Sequence, residues 1–442
     1  MPRHSVRTTP LNTSPNTLPR VCLRTCCAVG MLLLLVMAVG ACGRNKPTPV
    51  AQAPTAAPTF TPLPTATLRP AATATPRATA TPSPTATRTP VATAVAGPAL
   101  PASDNPGLAQ NANERPYGSS VRFEPEFPDV SPVGEPPIHD EHTNPLSGVT
   151  VEDPDLLARR PILLRYGNDR AARPHAGIAQ AEVVMEDLME AWWITRLTAV
   201  FLQEAPDRVG PVRSARPVNI EMTPALDGVF TFSGASNGMW GLLNASGLDL
   251  VYDGRDGDLF YRSGTKAPPH NLYTSIPDIR ERLEARGIER PATLRGLAFS
   301  EEVPPDGVPA GRVDVPLPPS SVVAWTWDPE VDAYRRWVQG QPYTDEITGE
   351  QIACENVIVV YAKHWMTDIV EDANGATAIG LALRGGGRVQ IFRDGLMYEG
   401  YWWREEREML FQFIDAEGEP IPLKPGHSWI QFVPTTYEAG VS

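Results

Sequence analysis

Residues 181–202 read AEVVMEDLMEAWWITRLTAVFL. Within them, VVMEDLM (183–189) and ITRLTAVFL (194–202) are short runs rich in apolar and β-branched residues, the composition of strands. PILLRY (161–166) upstream and GVFTFSG (228–234) downstream share this texture. Helical periodicity enters at IPDIRERLEARG (276–287), where Ile276, Ile279 and Leu283 fall on one face and Gly287 marks the stop. NGMWGLLNASG (237–247) carries a weaker helical pattern. Strands and helices mix without the alternation of βαβ units. The pattern therefore predicts an α+β module with a mixed sheet over residues 141–300, not a doubly wound fold.

EEVPPDGVPAGRVDVPLPPSS (301–321) is rich in proline and reads as a connector over residues 301–320. Beyond it the chain turns strand-like: VVAWTW (322–327), AYRRWV (333–338), NVIVVYA (356–362), RVQIFR (388–393), LMYEGYWW (396–403), MLFQFID (409–415) and SWIQFV (428–433). Asp394-Gly395 between two of these runs is a hairpin signal. Residues 321–442 are expected to form a smaller, mostly β module with an aromatic core, since several of the ten tryptophans lie here.

The first 140 residues belong to another class. Arg20 and Arg24 precede the apolar run AVGMLLLLVMAVGA (28–41), too short for a comfortable membrane-spanning helix. It ends in Val39-Gly40-Ala41-Cys42, which resembles the bacterial lipobox. That resemblance implies a signal peptide over residues 1–41, cleavage before Cys42, and acylation of Cys42 with palmitate-type chains. The mature protein is then expected on the extracytoplasmic face of the bacterial membrane. Residues 42–140 are expected to be a disordered linker. Their Pro, Thr and Ala offer no apolar periodicity, and at about 3.1 Å per residue the stretch 45–98 reaches on the order of 150 Å.

Charge is distributed unevenly. Residues 1–100 hold nine Lys and Arg and no acid, leaving about 29 basic residues to face all 51 acidic ones. A folded part near −22 repels nucleic acid, which is excluded as a partner. No cofactor motif appears. Gly385-Gly386-Gly387 lacks the lysine of a phosphate-binding loop and reads as a hairpin turn. No GxSxG elbow is present. Cys354 lies in a strand pattern as a small apolar residue, and no histidine spacing supports zinc. Asp253, Asp256 and Asp258 crowd one turn without the glutamate of a calcium loop, so no metal is assigned.

Several ordered blocks carry a resemblance: Asn144-Pro145-Leu146 with Gly148, ARPHAGIAQAEVVME (172–186), ITR (194–196), GPVRSAR (210–216) and APPHNLYT (267–274). WDPEVDAYRRWVQGQPYTDEITGEQIACENVIVV (327–360) and PGHSWIQFVP (425–434) continue it. Together they resemble the YerB-type bacterial lipoproteins, a family built on a domain of unknown function. The resemblance implies two α+β modules on a tethered envelope protein and supplies no activity. Trp192-Trp193 stand where the family pattern has small glycines, and Tyr343 where it has histidine.

The sharpest chemistry is GPVRSARP (210–217). Glycine and proline stiffen a bracket around Arg213, Ser214 and Arg216, and guanidinium forks suit phosphate or carboxylate oxygens. Arg196 and Arg173 join them as anion-binding candidates. The competing expectation is that each arginine pairs with an internal acid such as Glu182, Glu186 or Asp187. His175 and His270 follow prolines in similar frames. With Glu186 they are candidates for acid–base work or for hydrogen bonds that lock loops. Asn271 and Tyr273 are candidate polar cleft residues. The favoured reading is a binding protein for an anionic envelope ligand: a teichoic-type polymer, a lipid-linked phosphate or a peptide carboxylate. A scaffold for another envelope protein, resting on the aromatic second module, ranks next. An envelope phosphotransferase or hydrolase ranks third.

Overall fold

The structure is a computed structural model that describes residues 125–442. The signal peptide, Cys42 and the proline-rich stalk (45–98) lie outside the described residues. The first strands form where the apolar runs fall: β1 (Ile162–Gly167), β2 (Val183–Leu188), β3 (Thr195–Phe201), β4 (Val229–Phe232) and β5 (Leu250–Tyr252). Three α-helices are present among the described residues: α1 (Pro217–Ala225), α2 (Asn237–Ala245) and α3 (Ile276–Ala285). α3 starts at Ser275, whose hydroxyl accepts from the Asp278 N–H, and Ile276, Ile279 and Leu283 form its fully buried face.

The expected α+β module followed by a separate β module does not form. The described residues are mostly sheet, and the three helices are only nine or ten residues long. Strands from both halves of the chain build one eleven-stranded sheet. β2 pairs in parallel with Ser428–Pro434, which pairs in parallel with Asn356–Ala362. On the other side β2 pairs antiparallel with β3, β3 with β1, and β1 continues in parallel to β4 and β5. Burial explains the join. Every residue of β2, Asn356–Ala362 and Ser428–Pro434 is buried, so both faces of these strands are covered and none suits an edge. A separate six-stranded sheet contains Val323–Asp328 and Ala333–Val338.

Gly385-Gly386-Gly387 open a strand (Gly385–Arg393) and do not form the expected turn. Their missing side chains admit the incoming chain. The Gly386 N–H donates to the Glu126 carbonyl at 2.7 Å, and a Cβ on Gly386 would lie 2.5 Å from Pro128 Cδ. Phe127 packs on Trp403 with ring centroids 4.4 Å apart, and the Val133 N–H donates to the Gly418 carbonyl. The segment 125–133 is thus strapped onto the sheet at the start of the described residues.

Candidate functional site

β1, β4 and β5 run in parallel, and the loops at their carboxyl ends meet, the usual place for a ligand in a parallel sheet. GPVRSARP runs across this edge. The Arg213 N–H donates to the Arg165 carbonyl at 2.8 Å, and the Ser233 N–H donates to the Arg213 carbonyl at 3.0 Å. Arg213 lies over Gly167, where a Cβ would sit 2.5 Å from Arg213 Cγ, so the bare glycine is a condition of its position.

The two arginines of the bracket have different fates. Arg216 is stitched inward: Nε donates to Glu190 Oε2 at 2.8 Å and Nη2 to Glu190 Oε1 at 2.6 Å. Its Nη1 also lies 3.2 Å from Glu371 Oε2 and donates to the Ala215 carbonyl. Arg213 is half-buried, and its nearest carboxylate oxygen is Asp169 Oδ2 at 3.8 Å. Asp169 Oδ2 also lies 3.6 Å from His270 Nδ1. Arg213 Nε and His270 Nδ1 are buried without a hydrogen-bond partner among the described residues. Burial lowers the pKa of both groups and Asp169 opposes it.

Arg196 is buried and donates through Nη1 to the Ser214 carbonyl at 2.7 Å. Burial, then the Arg216 and Arg165 charges, hold its pKa well below the ordinary guanidinium value. Arg173 is turned away from Arg213. Its Nε donates to Asn168 Oδ1 at 3.0 Å, and its Nη2 to the carbonyls of Asn168 and Ser320. Glu371 is the most perturbed acid here. Its side chain is 1% exposed, and burial pushes its pKa up to about 7 against the pull of Arg216.

The remaining candidates are tied up internally. His175 is fully buried, with Nδ1 at the Tyr343 hydroxyl and Nε2 at the Gly167 carbonyl, and burial drives its pKa down to about 3. Glu186 is a saturated hub. One oxygen accepts from Thr195 and Asn168, the other from Arg336, Trp429 and Gln431. Asn271 accepts from Arg262 and donates to the Ser263 carbonyl. Tyr273 donates to Glu346 Oε2 at 2.8 Å beneath the guanidinium of Arg208. The acids named as alternative partners are engaged elsewhere: Asp187 with Arg165, and Glu182 with the N–H groups of Leu202, Gln203 and Glu204. Asp256 and Asp258 are held by Arg282, and Asp256 also by Arg286.

Three site residues escaped the sequence reading. Asp169 lies two residues past the end of β1, and Glu190 two residues before Trp192, so both were within reach of the motifs. Glu371 arrives from a hairpin, His364–Val370 with Thr377–Leu381, about 155 residues downstream of Arg216, and nothing local announced it.

The geometry defines a sheet protein assembled from two stretches of chain, with a basic loop at the parallel edge. Residues 146–289 match the N-terminal domain, and residues 313–430 the C-terminal domain, of "Protein of unknown function (DUF3048)". The chain belongs to this YerB-type family. It is 31% identical over 306 residues to "Putative lipoprotein YerB" of Bacillus subtilis, covering 67% of this chain and 88% of that protein. The crystal structure of YerB from Bacillus subtilis superposes with a TM-score of 0.60 at 30% identity, covering 68% of this chain and 99% of that one.

Proposed function

We propose that this chain is a lipoprotein tethered through Cys42 to the extracytoplasmic face of the membrane, and that it binds an anionic envelope ligand at Arg213, with Ser214 and His270 beside it. One observation carries the reading. Arg213 projects at the parallel-strand edge with no carboxylate closer than 3.8 Å, while Arg216, three residues on, is held by two. A guanidinium offers five donors, and those of Arg213 are largely unspent. Arg216 and Arg196 contribute positive potential from behind, and Glu190 and Glu371 moderate it.

The alternatives have less support. Trp325, Trp402, Trp403 and Trp429 of the second half are buried and Trp327, Trp337 and Trp365 are half-buried, which reduces the aromatic surface a scaffold would present. His175 and Glu186 are committed to internal bonds, which leaves His270 as the remaining candidate base for a phosphotransferase. The test is a calorimetric titration of the full chain in detergent micelles with poly(glycerol phosphate). Losing one charge-assisted contact of about 1.5–3 kcal/mol in Arg213→Gln is expected to weaken binding on the order of tenfold or more. Equal affinity of the variant and the wild type would refute the assignment.

A further inference from the structure

A second cavity lies between the turn Arg170–Ala172 and the hairpin that follows Ala333–Val338. It measures about 490 Å³, within the usual range for a small-ligand site. Its walls include Arg170, Arg173, Gln339, Gln341, Tyr343 and Thr344, and no carboxylate lines it. The contrast with another cavity of similar size is sharp, for that one is lined by Glu302, Asp306, Glu399, Asp415 and Glu417.

Arg170 is exposed and forms no ion pair among the described residues. Arg173 spends its bonds on neutral oxygens, Asn168 Oδ1 and two backbone carbonyls. Asp169 and Glu186 favour its charge from a distance, Arg336 opposes it, and none of these is an ion-pair partner. Two guanidinium groups therefore line one concave space without a carboxylate in its walls or an ion pair to either, and Arg173 keeps its Nη1 donors uncommitted. Gln339, Gln341 and Thr344 supply neutral donors and acceptors on the opposite wall, the groups that recognise hydroxyls.

The geometry points to a second binding site, separate from Arg213, for the phosphate of a small hydroxylated ester: oxyanion on Arg170 and Arg173, hydroxyls on the glutamines and Thr344. It does not require a ligand at Arg213. Its occupant is a free or polymer-borne polyol phosphate or a phospholipid headgroup, which share this chemistry.

The experiment uses full-length chain in detergent micelles carrying Arg213→Gln, so that the first site is silent. Glycerol 3-phosphate is titrated by calorimetry, and vesicles containing phosphatidylglycerol are tested by co-sedimentation with chain that also carries Cys42→Ser, so that no acyl anchor binds the vesicles by itself. One site for glycerol 3-phosphate is expected, weakened about fivefold by Arg170→Gln and at least tenfold by Arg170→Glu, with unchanged melting temperatures because Arg170 supports no internal bond. Loss of vesicle binding in the same variants assigns the headgroup, and loss of glycerol phosphate binding alone assigns the soluble ester. No binding in the Arg213→Gln background, or equal binding by Arg170→Glu, overturns the site.

Discussion

Replacing Glu371 with glutamine tests the electrostatics of the edge directly. The Glu371 carboxylate is buried, with Arg216 Nη1 3.2 Å away and the Ser236 side chain beside it. Arg196 also attracts the carboxylate, Glu190 repels it, and burial dominates, lifting the pKa from an ordinary 4.5 to about 7. The folded chain therefore holds this proton through a pH range in which the unfolded chain has released it. Between 4.5 and about 7 the native state binds more protons, so stability falls as pH rises through that window. The full penalty is about 3 kcal/mol, of which roughly 2.5 kcal/mol accrues between pH 5 and pH 8. Denaturant melts of wild type and Glu371→Gln at the two pH values measure it as a double difference. Other titrating groups are common to both chains and cancel. The variant is expected to gain about 2.5 kcal/mol on the wild type in moving from pH 5 to pH 8. A difference between the two chains that does not change with pH would refute the reasoning. Proton uptake by Glu371 also unmasks Arg216, so the Arg213 site is expected to bind anions more tightly at pH 6 than at pH 8.

Other positions give shorter tests. Ala191 adopts φ 62°, a left-handed conformation that costs a residue with a side chain about 1–2 kcal/mol. Ala191→Gly removes that cost and gives back about 0.4–1 kcal/mol of unfolded-state entropy, so a net gain of about 0.5–1 kcal/mol is expected in denaturant melts. Gly386→Ala drives a methyl group into Pro128 and the Trp402 carbonyl, and overpacking of this kind costs about 1–3 kcal/mol. Limited proteolysis should then cut within 125–133 faster than in wild type. Glu190→Gln leaves the buried Arg216 without its bidentate partner, at a cost of about 3 kcal/mol in a urea melt. It should also raise anion affinity at the neighbouring Arg213.

Local elements were legible because they obey local rules. Alternation and β-branching located β1 to β4, and Ser275, Ile276, Ile279 and Leu283 located α3. Asp394-Gly395 read as a hairpin, and both residues have positive φ between paired strands. The fold class was not legible. A fully apolar strand says that both its faces are covered without saying by what, and the partner of β2 lies some 245 residues downstream. Gly385 to Gly387 misled for a related reason. Absent side chains announce close approach of something, and the turn reading supplied the wrong neighbour. At the site, the bracket around Arg213 and Arg216 was visible, yet which arginine stays open depends on Glu190 and on Glu371 from a remote hairpin.

Much of the motif chemistry proves to be internal fastening. The His175 carbonyl accepts from the Glu346 N–H at 2.7 Å, and the Ala179 N–H donates to Asp345. Arg208, Lys266 and Tyr273 all converge on Glu346. The blocks ARPHAG and APPHNLYT thus clasp the turn TDE (344–346) of the other half of the chain, and Tyr343 completes the clasp on His175. Residues engaged in this way are poor candidates for ligand work, since a ligand would have to break bonds that join the two halves. Arg213 and Arg170 are different in kind. The folded part has about 51 carboxylates for 29 cations, so a partner was never scarce. An arginine left with no carboxylate hydrogen-bonded to it, in a molecule with so many to spare, is better explained by an anion that arrives from outside than by the stability of the fold.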